Sequence, residues 1–273
     1  MPIPKYIRKC QKVMNDCAKK DYFSCVLPTL LNRIEQIKSS LIEDGVAEDS
    51  AKKQAEKKIF SHLHDVMRET QEIVENKIQE KITSGEIHDA DQARKSVAGN
   101  IFQQLLAYLL AANVINGNIS HHVIVTMSVK NIIESYAQIS VNGDIMKPDS
   151  DVVVYCEEKE NSPVINLSCK TSCRERAGQT YKWKLLCDLA SCNCEHKEGN
   201  QNCPITRYNL EYLPTKRIIT SFATVDFYNE LTNPQISAMF NFFDHAYIAK
   251  TESPSDRIFC LETIIDDINE AFQ

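Results

Sequence analysis

Two short apolar runs, one preceded by aspartates and the other ended by a lysine, constrain this chain more than any other feature. The first run, 152–155 (VVVY), is β-branched and aromatic and follows Asp149 and Asp151. The second run, 164–167 (VINL), follows a polar turn and leads to Lys170. Such runs, separated by a turn, predict two neighbouring strands. Their pairing would place Asp149 or Asp151 opposite Lys170.

A carboxylate facing an ammonium group at this place indicates metal-assisted chemistry on a phosphate. Carboxylate oxygens are hard ligands of the kind that divalent cations prefer. A lysine beside them can orient or deprotonate a water molecule and stabilise the charge that develops on a phosphate. The competing structural interpretation is a surface hairpin followed by a charged helix.

The charge of the chain is distributed unevenly. Its net charge of −6 gives no global basic signature of nucleic-acid binding. Residues 166–184 nevertheless carry five basic side chains against Glu175 alone, namely Lys170, Arg174, Arg176, Lys182 and Lys184. Any attraction for phosphate is therefore expected to be local to this stretch.

Pro148-Asp149 followed by Ser168-Cys169-Lys170 resembles the active-site signature of the PD-(D/E)xK nucleases, with Ser168 where most members carry an acid. Serine or threonine is familiar there in type II restriction endonucleases that cut CCGG, or CC and GG around a central base, such as relatives of BsaWI, AgeI, NgoMIV, EcoRII and SsoII. Those enzymes also carry an Arg-Glu/Asp-Arg cluster just after the lysine, and residues 174–176 are Arg-Glu-Arg.

The resemblance implies an α/β fold of the restriction-endonuclease type, with a mixed central sheet flanked by helices, and a dependence on Mg²⁺. Asp149 and Cys169 would form the metal site, and Lys170 would position the attacking water. Glu134, on the helix before the first active-site strand, would support the metal or its water, although it is equally explained as a solvated glutamate on an amphipathic helix. Hydrolysis would leave 5′-phosphate and 3′-hydroxyl ends.

The second active-site carboxylate stays open at this point. The CCGG-reading enzymes usually carry a glutamate on the helix after the lysine, and here residues 182–184 (KWK) occupy its place. Four acids are alternatives: Glu134, Asp151, Glu175 and Asp188.

The resemblance also implies a partner, double-stranded DNA, and a way of reading it. Arginine forks pair with the acceptors of guanine, and a carboxylate can accept from the amino group of cytosine, so Arg174, Glu175 and Arg176 suit CC and GG steps. A homodimer would apply this cluster to both halves of a palindrome. A restriction enzyme further implies a cognate DNA methyltransferase in the same system.

The first half of the chain has the apolar periodicity of helices. Residues 24–43 predict one helix, 50–82 predict a second and longer one, and Asp89 begins a third. We therefore predict an all-α N-terminal domain over residues 1–118, which supports dimerisation or clasps the DNA. The PD-(D/E)xK catalytic domain would span residues 119–273.

The catalytic part is predicted to alternate helices with further strands. A helix capped by Thr171 or Ser172 should run through Leu189, with Trp183, Leu186 and Leu189 packing inward. The other predicted elements are a helix over 120–139, strands over 208–213 and 217–227, the second of them inside the sheet, and helices over 236–247 and 258–272.

Eleven cysteines and the absence of an export signal indicate reduced thiols in a bacterial cytoplasm. Five potential zinc ligands lie close together, namely Cys187, Cys192, Cys194, His196 and Cys203, but their spacing is poor for one ion. Two alternatives to the restriction enzyme follow. One is a repair or recombination nuclease of the same superfamily, and the other is a non-catalytic helical adaptor with a small zinc module.

Overall fold

The computed structural model describes residues 2–120, 122–127, 138–192, 203–213 and 215–273. Within the described part, helices dominate up to residue 115 and strands follow. The helices are α1 (Lys5–Ala18), α2 (Asp21–Glu43), α3 (Glu48–Lys58), α4 (Leu63–Glu69), α5 (Gln71–Thr83), α6 (Ala90–Ile115), α7 (Arg174–Ser191), α8 (Pro204–Arg207), α9 (Pro234–Met239) and α10 (Ile264–Ala271).

A mixed sheet forms the centre of the second half. The strands are β1 (Ile124–Thr126), β2 (Ile139–Val141), β3 (Asp144–Met146), β4 (Val152–Tyr155), β5 (Val164–Lys170), β6 (Leu210–Tyr212), β7 (Ile218–Thr224), β8 (His245–Ile248) and β9 (Phe259–Cys260). Six of them lie in the order β1-β4-β5-β7-β8-β9, and β3-β2-β6 form a small second sheet. Pairing is antiparallel from β1 to β5 and parallel from β5 to β9. The predicted α/β class, with a mixed sheet, flanking helices and a helical N-terminal region, is confirmed.

The helix α6 is the centre of the core. It is apolar around most of its circumference, and its fully buried side chains include Phe102, Leu105 and Leu106. A helix of this kind is stable only when other elements cover it on several sides. One continuous cluster accordingly joins α6 and the helices α1, α2, α4 and α5 to the sheet residues Val152 and Leu167.

The N-terminal part of α6 is capped as predicted, because the Asp89 side chain accepts a hydrogen bond from the Gln92 N–H at 2.9 Å. By length and composition alone, α6 is one described helix that could cross a membrane, but 56% of its most apolar window is buried in the protein. That burial is typical of a core helix, and the described residues give no indication of a membrane protein.

The long helix predicted over residues 50–82 is interrupted twice. A 3₁₀ turn (Ile59–His62) separates α3 from α4, and the N–H of His64, in the first turn of α4, bonds to the Ala249 carbonyl at 3.1 Å. Thr70 then separates α4 from α5, and its hydroxyl donates to the carbonyls of Val66 and Met67. Side-chain hydrogen bonds of this kind compete with helix geometry.

Three other helix predictions are wrong in part. Residues 124–126 form β1, because this β-branched segment pairs with β4, and residues 128–137 lie outside the described part. The helix predicted over 236–247 ends in a 3₁₀ turn at Phe242, because residues 245–248 pair with β7 as β8. Residues 259–260 extend the sheet as β9, so the last helix begins only at Ile264.

The strand predictions for 208–213 and 217–227 match β6 and β7, and β7 lies inside the sheet as predicted. The predicted helix after Lys170 is α7, but its N-cap residue is Cys173 and no side chain of its own caps it. Trp183 and Leu186 pack inward against a small cluster, whereas Leu189 is 39% exposed, contrary to the prediction.

We expect that deletion of residues 1–118 leaves an insoluble or inactive core. The truncation would uncover Val125, Val152, Val154 and Leu167, which pack in the shared cluster. Each apolar side chain of this size contributes about 1.5–3 kcal/mol when buried, so their exposure removes a large part of the 5–15 kcal/mol that is typical of a domain. Solubility, gel filtration and circular dichroism measure the outcome.

The matched control is deletion of residues 2–4 alone, which precede α1 and are exposed. That protein should fold like the full chain. A folded, sequence-specific nuclease made of residues 119–273 would contradict the prediction. The division of the chain at residue 118 itself stays a prediction.

Candidate active site

The end of β5 and the segment before β4 bring Lys170 together with two aspartates. In the antiparallel pair Val152 lies opposite Leu167, and the Asp151 N–H donates to the Leu167 carbonyl at 3.3 Å. The Lys170 Nζ lies 2.7 Å from Asp151 Oδ2 and 3.1 Å from Asp149 Oδ2. Both aspartates that the sequence singled out therefore bind the same ammonium group.

The two aspartates differ in exposure and in partners. The side chain of Asp151 is 18% exposed and that of Asp149 is 43% exposed, while Lys170 is 8% exposed. Asp151 Oδ2 also accepts the Cys169 N–H at 2.8 Å, and the Asp151 carbonyl accepts from the Gln103 amide of α6. Asp151 is thus the inner, fixed carboxylate and Asp149 the outer, more accessible one.

Lys170 keeps its proton at neutral pH. Burial lowers the pKa of Lys170, but the charges and hydrogen bonds of Asp151 and Asp149 raise it by more, so the net pKa lies above its usual value. In this arrangement the side chain is a hydrogen-bond donor and a positive charge, which suits positioning a water or a phosphate oxygen better than removing a proton.

Ser168 is 1% exposed, and its hydroxyl lies 3.0 Å from the hydroxyl of Thr180 on α7. The pairing register, continued by one residue, places Asp151 opposite Ser168. Ser168 therefore joins β5 to α7, and the acid opposite it is supplied by the neighbouring strand.

Cys169 points its side chain to the other face of β5, because side chains alternate along a strand. Its thiol belongs to the core cluster that β5 shares with α6, and burial raises the pKa of this thiol well above its usual value. The group that Cys169 offers to the carboxylates is its backbone, whose N–H donates to Asp151.

The other candidate acids lie elsewhere or outside the described part. Asp188 pairs with Lys184 at 2.6 Å. Asp188 lies some four helical turns after Arg174 on α7, which places the two residues about 20 Å apart along the helix axis. Glu134 lies outside the described residues, and so does the side chain of Glu175. Among the described alternatives, Asp151 is the acid that contacts Lys170.

The predicted DNA-reading cluster forms the first turn of α7. Arg174, Glu175 and Arg176 are its first three residues, and their side chains lie outside the described part. Lys170 is paired with Thr224 at the end of the parallel strand β7, so the start of α7 lies at the same edge of the sheet as the aspartates. Of the basic residues further along, Lys184 is bound by Asp188 and Asp244.

A second group of polar side chains was missed by sequence reasoning. The ligand atoms of Cys173, Asp226 and Glu230 lie within 4.8 Å of one another at the start of α7. Asp226 and Asn229 follow β7 directly, and Asx residues after a strand are a turn signal. That signal predicts a turn after β7. It does not predict that this turn contacts the start of α7, which follows β5.

The predicted zinc ligands are only partly described. Cys187 is buried in an apolar cluster against which Cys192 and Cys203 pack, and burial raises the pKa of Cys187 to about 11. Cys194 and His196 lie outside the described residues. A zinc site formed by these five residues stays a prediction.

Comparison with known proteins adds one finding. A family model described as BsaWI restriction endonuclease type 2 matches residues 128–270, which is more than half of the chain. The matched segment contains both aspartates, Lys170 and all of α7. No curated protein matches the chain.

Because the Cys169 thiol faces away from the two aspartates, we expect that it is not a metal ligand, and a substitution tests this. Cys169→Ala removes the thiol and keeps the backbone N–H that binds Asp151, so affinity for Mn²⁺, measured by calorimetry, should stay within about twofold of the wild-type value. Stability in urea should fall by roughly 1 kcal/mol, as for an ordinary single substitution in a core.

Asp149→Asn serves as the comparison, because it alters a carboxylate whose Oδ2 faces Lys170 and should weaken Mn²⁺ binding. Loss of Mn²⁺ binding in Cys169→Ala, to the extent seen in Asp149→Asn, would make the thiol a ligand.

Proposed function

The chain belongs to the BsaWI family of type 2 restriction endonucleases, and from this premise we propose the site, the metal and the residues with which it cleaves double-stranded DNA. The substrate is a short palindrome containing CCGG, or CC and GG around a central base. Hydrolysis depends on Mg²⁺ and leaves 5′-phosphate and 3′-hydroxyl ends. Family membership favours this nuclease over a helical adaptor, and no specific observation favours a repair enzyme.

The observation that carries the proposal is a buried lysine held by two aspartates. Lys170 is 8% exposed, and an ammonium group in such a place is costly unless it is paired. Ionisable groups brought together in this way at the end of a strand are typical of functional sites. The hydrogen bonds to Lys170 use Oδ2 of each aspartate, so Oδ1 of each takes no part in them.

The donor set fits Mg²⁺, because this ion prefers one or two carboxylates and retains several waters. Bound there, it supplies Lewis-acid stabilisation of phosphate charge and a more acidic water. Asp149, the outer carboxylate, holds the metal. Asp151 is the second carboxylate, since it lies opposite Ser168 and its orientation is fixed by Cys169 and Lys170. Lys170 donates to the attacking water and holds it in line with the scissile phosphate.

Recognition is assigned to the first turn of α7. A helix N-terminus carries positive partial charge and free N–H groups, so it can approach DNA with its basic residues leading. Arg174 and Arg176 read guanines and Glu175 accepts from cytosine. A homodimer places two such turns on one palindrome.

The N-terminal helices take part as a brace or clasp. A cleft of about 500 Å³ separates α4, α5 and α6 from the residues that follow β5 and β7. Arg68 and Lys95 lie along its helical side, as does Arg94, which is paired with Glu75 and Asp91, and Thr171 and Ser172 lie along the other side. These basic side chains lie across the cleft from the ends of β5 and β7, where the candidate active site lies. Their position supports contact between DNA and residues 1–118. The protein would act in the bacterial cytoplasm beside a cognate methyltransferase.

Lys170→Ala should abolish cleavage of plasmid DNA in Mg²⁺, because the water-positioning donor is lost together with the partner of Asp149 and Asp151. DNA binding in Ca²⁺, which is assigned to the first turn of α7, should stay within about a factor of ten. Asp149→Asn and Asp151→Asn should also abolish cleavage. Digestion rates and gel-shift affinities measure these effects.

Lys184→Ala is the matched control for Lys170, because Lys184 is also largely buried between two aspartates but lies away from the edge of the sheet. It should lose some stability and keep cleavage. Specific cleavage that survives Lys170→Ala would remove this lysine from the mechanism.

Arg174→Ala and Arg176→Ala should each reduce specific binding about ten- to a hundredfold and non-specific binding much less, because a bidentate arginine–guanine contact contributes roughly 1–3 kcal/mol of discrimination. Sequencing the ends of cleaved random DNA identifies the site, and competition binding then measures the two affinities.

Lys182→Ala, on the exposed side of the same helix, is the comparison. A phosphate contact at this position would weaken binding to all sequences equally and lower the salt dependence. The same uniform loss in the arginine variants, or a cleavage site without adjacent C-C or G-G steps, would refute the assignment.

A further inference from the structure

The helix α7 begins without a cap of its own. The first N–H groups of a helix have no partner within the helix and need an acceptor from elsewhere. Here the acceptor is distant in sequence: Glu230 Oε2 accepts the Cys173 N–H at 2.6 Å and the Ser172 hydroxyl at 3.0 Å. A carboxylate at this end also interacts favourably with the helix dipole.

The position of Glu230 is itself fixed by hydrogen bonds in the loop that follows β7. Its N–H donates to Asp226 Oδ1 at 2.8 Å, and Lys250 donates to the Asp226 carbonyl and to Asn229 Oδ1, each at 3.0 Å. Asp226 and Asn229 have φ values of 45° and 52°. Residues other than glycine occupy this region at a cost, which is retained where the surroundings determine the backbone.

The same carboxylates could in principle bind a metal with Cys173, but their contacts favour an anchor. Lys250 Nζ lies 3.8 Å from Asp226 Oδ2 and already supplies positive charge. Glu230 Oε2 already accepts two hydrogen bonds, and burial raises the pKa of the Cys173 thiol to about 12, so the thiol stays protonated.

We propose that Glu230 is a positioning residue that fixes the first turn of α7 and thereby sets how strictly the enzyme discriminates between DNA sequences. This inference rests on the proposed reading role of Arg174, Glu175 and Arg176. Bidentate hydrogen bonds depend on the placement of both partners, so a shift of the helix start weakens base contacts more than it weakens attraction to phosphates. Lys170 bonds to Asp149 and Asp151, whereas Glu230 bonds to Ser172, Cys173 and Asp226, so these two groups of hydrogen bonds share no residue.

The test compares Glu230→Ala and Glu230→Gln with Asp89→Ala. Asp89→Ala removes a comparable N-terminal cap, but from α6, which carries no reading residue. The measured quantity is the ratio of cleavage rates at the wild-type site and at a site with one changed base. Hydrogen exchange of peptides covering 171–178 and 89–95 is measured on the same proteins.

Glu230→Ala should lower the ratio about tenfold, which corresponds to the loss of one good base contact, and should speed exchange in 171–178 only. Glu230→Gln keeps one carbonyl acceptor, so the cleavage ratio should fall less and the exchange of 171–178 should speed up less than in Glu230→Ala. Asp89→Ala should speed exchange in 89–95, lower the melting temperature, and leave the cleavage ratio at the wild-type value.

An unchanged ratio in both Glu230 variants overturns the inference, and Glu230→Gln alone decides it if Glu230→Ala does not fold. Binding of Zn²⁺ or Mn²⁺ that survives Asp149→Asn but is lost in both Glu230 variants overturns it in favour of a metal site. A wild-type protein that cuts no discrete site refutes the proposed function instead. The exchange data then still decide whether Glu230 fixes the start of α7. Equal exchange of 171–178 in the wild-type protein and in the Glu230 variants would overturn that part of the inference.

Discussion

The rest of the structure depends on one buried positive charge, the ammonium group of Lys170. Its burial would be costly without partners, and Asp151 and Asp149 offset that cost at 2.7 Å and 3.1 Å. The three groups meet only if β4 and β5 pair in a single register, because a shift by one residue would turn Lys170 to the opposite face. The backbone hydrogen bond from the Asp151 N–H to the Leu167 carbonyl belongs to the same register, and the Cys169 N–H also donates to the Asp151 carboxylate.

The two faces of β5 have different roles: one packs in the core and the other carries Lys170 of the candidate site. Leu167 and Cys169 face the core that contains α6, and α6 in turn reaches the site through Gln103, which binds the Asp151 carbonyl. The parallel strands β5, β7 and β8 end at one edge, where sheets of this class place their ligands. The aspartates with Lys170, and the start of α7, which Glu230 joins to the β7 turn, both lie at that edge.

The sequence by itself determined the elements whose causes are local. The β-branched runs predicted β4 and β5, the apolar periodicity predicted α2 and α6, and Asp89 predicted where α6 begins. The order of Asp149, Ser168 and Lys170 around those strands resembled that of type II restriction endonucleases, and the match over residues 128–270 established that the chain belongs to the BsaWI family of these enzymes. Local propensity and the alternation of side chains are sufficient for the element predictions, because every residue involved lies within one or two neighbouring elements. The family came from the resemblance of the motif to that of known enzymes.

Only the tertiary structure decided the features whose partners are far apart in the chain. The break between α3 and α4 lies beside the His64 N–H, which binds the Ala249 carbonyl, and residues 124–126 and 245–248 are strands because they pair with β4 and β7. Asp151 was one of four alternative acids, and only the pairing of β4 with β5 shows that it contacts Lys170. Glu230 could not be connected with α7 at all, since 57 residues separate it from Cys173. A pattern along the chain reports which faces are apolar, whereas long-range hydrogen bonds and ion pairs are decided by which faces meet.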